Sequence, residues 1–266
     1  MKKVIGNLLS RMDVPEFKGS GIIRWGAPVP SFGNIGIAKI ATLGLNPSNR
    51  EFVDTLGNEL NGEVRRFHTL KSLRIPSWSK ATNSHIDEIE KTCTSYFHSN
   101  PYDQWFRKID YLLNKFDCSY YSDKRPACHL DLVPFATERK WTELLGWQRR
   151  MLITQGTEAL GILLRDSKIK VLVMNGSSVV TQFQIAANTT FESRTMPSWA
   201  LKRSNNTGVP GRAFTGRVSK LNGVDLGREI VVLGYNHNIQ SSFGVTKRVC
   251  TSIGNWLSKM IEGRTG

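Results

Sequence analysis

Four short apolar runs, at 37–45, 127–133, 169–174 and 229–233, constrain the fold of this chain more than any other feature. Each is nearly continuous rather than alternating, the pattern of a strand buried on both faces of a sheet. Segments with helical spacing lie between them. Over 103–116 the apolar positions are 105, 106, 109, 112, 113 and 116, and 144–165 and 247–261 are amphipathic in the same way. This alternation predicts an α/β fold: a three-layer α/β/α sandwich around a central, mostly parallel sheet of about four strands. At 266 residues the chain suits a single domain over 1–266, with long polar connections at about 46–100 and 194–220. Connections of that length in a compact domain usually carry function.

The charge balance speaks to partners. Lys and Arg total 36 against 22 Asp and Glu, a net charge of +14, and the usual partner of so basic a domain is nucleic acid. The connection at 194–220 concentrates the excess, with Arg194, Lys202, Arg203, Arg212, Arg217 and Lys220 and no acidic residue. No apolar run approaches the ~18 residues needed to span a bilayer. The N-terminal apolar stretch meets Arg11 and Asp13 too soon for a secretory core, so a cytoplasmic monomer away from membranes is the expectation. Cys93, Cys118, Cys128 and Cys250 include no Cys-x-x-Cys pair, and the histidines at 68, 85, 98, 129 and 237 no His-x-x-x-His pair. Neither a metal site nor another cofactor is expected.

The residues that carry chemistry sit where the apolar runs stop. The first run ends in Gly44-Leu45-Asn46-Pro47-Ser48, and the second passes through His129-Leu130-Asp131-Leu132. The third ends in Met174-Asn175-Gly176 and the last in Gly234-Tyr235-Asn236-His237-Asn238. Parallel strands bring such ends to one edge of the sheet, where ligands bind, so Asn46, Asp131 and His237 would share a pocket. Pro47 stiffens its turn and biases Asn46 away from the helical region, leaving the carboxamide able to hold a water or a base edge. The simpler readings are a plain turn at Asn46, an ion pair with an Arg at Asp131 and a structural ring at His237.

In order and spacing these motifs resemble the uracil-DNA glycosylase superfamily. Gly44-Leu45-Asn46-Pro47 is similar to its first signature, His237 beyond the last strand to its second, and 172–180 to its third-strand segment; the likeness runs over roughly 37–255. The chain departs from the pattern after His237, where Asn238-Ile239-Gln240 replaces the usual Pro. It also lacks the spaced cysteines of the iron–sulfur branches. The resemblance implies a monofunctional DNA glycosylase that flips a base from the duplex and hydrolyses its N-glycosidic bond to leave an abasic site. Asn46 would then position the attacking water and His237 would stabilise the departing base. Phe67, or its rival Phe52, would stack on that base. Phe243 would enter the duplex as a wedge, with Arg194, Lys202, Arg203, Arg212, Arg217, Lys247 and Arg248 on the phosphates.

Asp131 bears on which base is read. A carboxylate only accepts hydrogen bonds, and its natural partner is the exocyclic amine of cytosine; uracil-specific relatives typically carry Asn on this strand. An enzyme attacking plain cytosine would destroy its host's DNA, so a modified cytosine is the expected substrate. The chain resembles the bacterial antiviral branch that excises glucosylated hydroxymethylcytosine from phage DNA. A uracil or damaged-base repair glycosylase and a non-catalytic protein that binds modified DNA are the alternatives. No phosphate-loop motif follows the first run, which leaves a nucleotide-acting protein without support.

Overall fold

The computed structural model describes residues 1–202 and 208–265. In chain order the elements are α1 (Lys2–Met12), β1 (Ile40–Gly44), α2 (Leu70–Leu73), α3 (Asn83–Thr94), α4 (Asp103–Leu113), β2 (Ala127–Asp131), α5 (Gly146–Arg165), β3 (Val171–Asn175), α6 (Ser177–Ala187), β4 (Glu192–Thr195), β5 (Arg212–Leu221), β6 (Val224–Tyr235) and α7 (Lys247–Thr265). One sheet holds all six strands described, in the order β2-β1-β3-β6-β5-β4. β2, β1, β3 and β6 pair in parallel; β5 and β4 continue the sheet antiparallel.

The four apolar runs are the four parallel strands, and the physical reason is burial on both faces. Along β3, Val171 and Val173 join Leu233 and Tyr235 of β6 and Val249, Ile253 and Leu257 of α7 in one core. The alternate residues Leu172 and Met174 meet Leu160 and Leu164 of α5 and Val179, Val180 and Phe183 of α6 in the other. Helices therefore cover the sheet on both sides. Each such buried aliphatic side chain contributes about 1.5–3 kcal/mol relative to exposure.

Two expectations need correction. The sheet has six strands rather than about four, and its last two pairings are antiparallel. The segment 194–220 is accordingly not one loop: it holds the end of β4, a 3-10 turn at Pro197–Trp199 and nearly all of β5. β4 is exposed along its whole length and β5 carries buried residues only at Ala213, Val218 and Leu221, so neither leaves an apolar run to detect. The connection at 46–100 likewise contains α2, α3 and several 3-10 turns.

The registers align the carboxyl ends. Gly44 pairs with Asp131, Leu43 with Met174, and Asn175 with Tyr235. From β1 the chain moves to β2 on one side, then crosses to β3 on the other side of β1. The crevice between the ends of β1 and β3 is thus the topological switch point, the usual ligand position in an open α/β sheet. Cys93, Cys118 and Cys128 are buried free thiols, and Cys250 is half-buried. Among the described residues no helix is long and apolar enough to cross a membrane.

Candidate functional site

A cleft of about 820 Å³ opens over the carboxyl ends of β1, β2 and β3. Asn46 lies in its wall. The carboxamide nitrogen donates to the Pro47 carbonyl and to Thr137 Oγ1, both at 3.0 Å. Thr137 spends its own hydroxyl hydrogen on the Arg139 carbonyl at 2.7 Å, so it meets Asn46 as an acceptor. With the amide hydrogens committed in this way, Oδ1 remains as an acceptor suited to a water.

Asp131 also lines the cleft and is only 6% exposed. Its partner is not an Arg. His129 Nε2 stands 3.4 Å from Asp131 Oδ1, and His129 Nδ1 stands 2.6 Å from Thr42 Oγ1, which in turn bonds the Tyr120 hydroxyl. With its proton on Nε2 the ring points N–H at Asp131 and accepts from Thr42 at Nδ1. The arrangement depends on Gly44, one strand away. A methyl group there would collide with Asp131 Oδ1 and lie 3.1 Å from His129 Nε2.

A smaller cavity of about 50 Å³ shares Asn46, Trp105 and Asp131 with the cleft. Phe32, Phe106, Glu51 and His129 complete much of its wall. Glu51 sits in a 3-10 turn, Asn49–Glu51, capped by Ser48, whose side chain accepts from Arg50 N–H. The residue is 2% exposed, and its carboxyl accepts a 2.8 Å bond from the Tyr96 hydroxyl at Oε2. Burial pushes its pKa up to about 8; the Tyr96 bond and the Arg66 charge oppose that rise, and Asp131 adds to it.

Several sequence-based assignments fall elsewhere. His237 is buried, and its Nε2 donates to the Trp199 carbonyl at 2.7 Å. Burial lowers its pKa, with the Trp199 bond opposing. The ring does not line the cleft, although Asn238 and Ser241 of the same loop do. This loop is tied to β3 by Asn175, which donates to Gln240 Oε1 at 2.7 Å and accepts from Ile239 N–H at 3.2 Å. Phe67 and Phe52 are both 1% exposed and locked in an aromatic cluster, Phe67 stacked on Tyr96 at 5.1 Å. Neither lines the cleft or the smaller cavity. Trp105, half-buried on α4 and edge-on to His129 at 5.0 Å, lines both. Its place in an amphipathic helical pattern gives no sign that it reaches the cleft.

The cations are redistributed as well. Arg194, Lys202, Arg212, Arg217, Lys247 and Arg248 are exposed, but none lines the cleft. Arg217 pairs with Glu229 at 3.0 Å, and Arg248 borders a separate hollow on α7. Arg203 lies outside the described residues. The cleft's own cations are Arg139, Lys140, Arg149 and Arg150, and among its described lining residues Asp131 is the sole carboxylate. The first turn of α6 supplies another wall. Gly176 precedes it with φ of 104°, a conformation that favours glycine, and Ser177, Ser178 and Val179 face the cleft. Phe243, 81% exposed, follows Ser241 on the loop at the cleft. Among the described residues no group of three or more His, Cys, Asp or Glu side chains is arranged to hold a metal. Compared with known proteins, the chain matches no family model and no curated protein sequence.

Proposed function

We propose that this protein is a DNA glycosylase acting on a modified cytosine, of the kind found in phage DNA, and leaving an abasic site. The observation that carries this reading is Asn46: its carboxamide is pinned by Pro47 and Thr137 beside Asp131, in a cleft with a cationic lining. Asn46 Oδ1 holds the attacking water at the anomeric carbon, a positioning effect. Asp131 accepts from the exocyclic amine of the flipped base, and Trp105 offers an aromatic surface to it. Arg139, Lys140, Arg149 and Arg150 supply the phosphate contacts that such an enzyme needs. Phe243 keeps the wedge role, which suits an exposed ring two residues beyond Ser241 of the cleft wall. Beyond the base, Asn49, Thr142, Thr181 and Gln182 offer hydroxyl-binding groups to a sugar on the modification. His237 is left out of the chemistry, because its ring is engaged by Trp199.

That same engagement favours one second reading, a non-catalytic protein that binds modified DNA. Duplexes carrying uracil, cytosine, hydroxymethylcytosine or glucosylated hydroxymethylcytosine separate the two when incubated with the protein and scored for abasic sites by alkaline cleavage. Release of a modified cytosine by the wild type, abolished in Asn46→Ala with DNA affinity retained, is the expected result. Release of uracil alone would make it a repair glycosylase. Tight binding of modified DNA with no release would favour the reader.

A further inference from the structure

Resting on the glycosylase reading, we infer that Glu51 is the proton donor to the departing base, and that Glu51 and Asp131 together read a cytosine-type edge. Both carboxyl groups face the small cavity beside Asn46 and Trp105. The two acids are not equivalent. With the His129 proton on Nε2, 3.4 Å from Oδ1, Asp131 faces a ring N–H and serves as an acceptor. Glu51 is enclosed, with one oxygen occupied by the Tyr96 hydroxyl. The charged and titratable groups around it are Arg66, Tyr96 and Asp131, with His129 and Tyr102 in the same cavity wall. Burial outweighs Arg66 and Tyr96, so the carboxyl keeps its proton at neutral pH, its pKa being about 8. A protonated carboxyl is a donor.

An acceptor and a donor side by side match the amine and the adjacent ring nitrogen of cytosine. Uracil would present a carbonyl to Asp131 and an N–H to the Glu51 hydrogen, mismatched at both. The donor also solves a chemical problem. A cytosine ring leaves poorly as an anion; no His lines the larger cleft among the described residues, and His129 in the small cavity is engaged by Asp131 and Thr42. In the proposed step Glu51 gives its proton to the ring nitrogen while the C1′–N1 electron pair goes to the base, which departs neutral. The water on Asn46 forms the new O–C1′ bond and releases its proton to solvent, from which Glu51 is reprotonated.

Glu51→Gln tests this, since the amide keeps an acceptor for Tyr96 and a donor for the base but cannot transfer a proton. Single-turnover release is measured from pH 5 to 9.5 on the modified-cytosine duplex. The variant is expected to bind that duplex within about threefold of wild type and release base about 10²–10⁴-fold more slowly, the usual range for losing a general acid. The wild-type rate should fall above pH about 8, and the variant should lose that limb. Infrared difference spectra of the free proteins at pH 7 should show a protonated-carboxyl band present in wild type and missing in Glu51→Gln, whatever the enzyme's activity. Equal rates and pH profiles on a duplex that wild type cleaves would overturn the role of Glu51 and leave the glycosylase standing. Release of uracil alone, or no protonated band at pH 7, would also overturn it. No base release by wild type from any duplex would remove both.

Discussion

Glu51→Gln makes a second, activity-independent prediction through folding stability. In the unfolded chain a Glu ionises near its ordinary value of 4.5, whereas in the fold burial delays ionisation to about 8. A carboxyl whose pKa is raised by folding binds its proton more tightly in the native state. Its contribution to stability is complete below 4.5 and is lost as pH climbs through 8. At about 1.4 kcal/mol for each tenfold change, the loss amounts to about 4–5 kcal/mol, a large share of the 5–15 kcal/mol typical of a domain. The amide cannot ionise, fills the same volume and still accepts from Tyr96. Urea unfolding at pH 5 and at pH 8.5 reads the effect, with buried Trp78 and Trp199 as fluorescent probes. Groups away from residue 51 titrate alike in both proteins, so the difference between them reads residue 51 and the neighbours coupled to it, Tyr96 and Asp131. The variant should gain on wild type by several kcal/mol between the two pH values. A difference constant to within 1 kcal/mol would mean that Glu51 is already ionised in the fold and would refute the reasoning.

Gly44→Ala forces a methyl group against Asp131 and His129 within a buried strand pair; a loss of about 1–3 kcal/mol in chemical denaturation is expected, together with loss of base release. Replacing Arg149 and Arg150 by Ala should lower DNA affinity and reduce the slope of log K against log salt by about 2, whereas the same change at Lys247 and Arg248 should leave the slope nearly unaltered. Phe243→Ala removes a ring that is 81% exposed, so the melting temperature should hold; base release should slow on duplex and much less on single-stranded DNA.

The parts of this protein legible in its sequence are those where local pattern and burial coincide. β1, β2, β3 and the end of β6 announce themselves because helices cover both faces, which forces every residue of a short run to be apolar. Asn46 and Asp131 follow directly, since parallel register brings the ends of neighbouring strands together. Glu51 was invisible for the opposite reason. It lies in the polar run Asn49-Arg50-Glu51, and only tertiary structure encloses it, through Tyr96 from 45 residues away. His237 shows the limit of motif position. Its ring direction is decided by the Trp199 carbonyl, which belongs to a 3-10 turn between β4 and β5, neither of which left an apolar signal. The cationic lining was missed because the density of Lys and Arg along 194–220 says nothing about which side of the sheet they occupy. On the edge strands Arg194, Arg212 and Arg217 are exposed away from the cleft, while the short, mixed-charge stretch before α5 delivers Arg139 and Lys140 to it.

The distribution of charge within the cleft carries its own argument about how a nucleic acid would lie there. Cations stand in the wall at Arg139, Lys140, Arg149 and Arg150, and the carboxylate of Asp131 is buried at the strand ends. A phosphate is drawn to the first set and repelled from Asp131, and that repulsion is screened less in the buried part of the cleft than at its mouth. Only an uncharged group that can donate a hydrogen bond gains by descending to Asp131, and an extruded base bearing an amine is such a group. The same field bears on Glu51. A charge on its carboxyl would add a second anion close to Asp131, so on the same reading the proton that burial retains would also keep the cavity from repelling the ring nitrogen and carbonyl oxygen of the proposed base. On the proposed glycosylase reading, cationic wall, anionic floor and neutral acid would act in one sense: they would sort the backbone of a nucleic acid from the base that it presents.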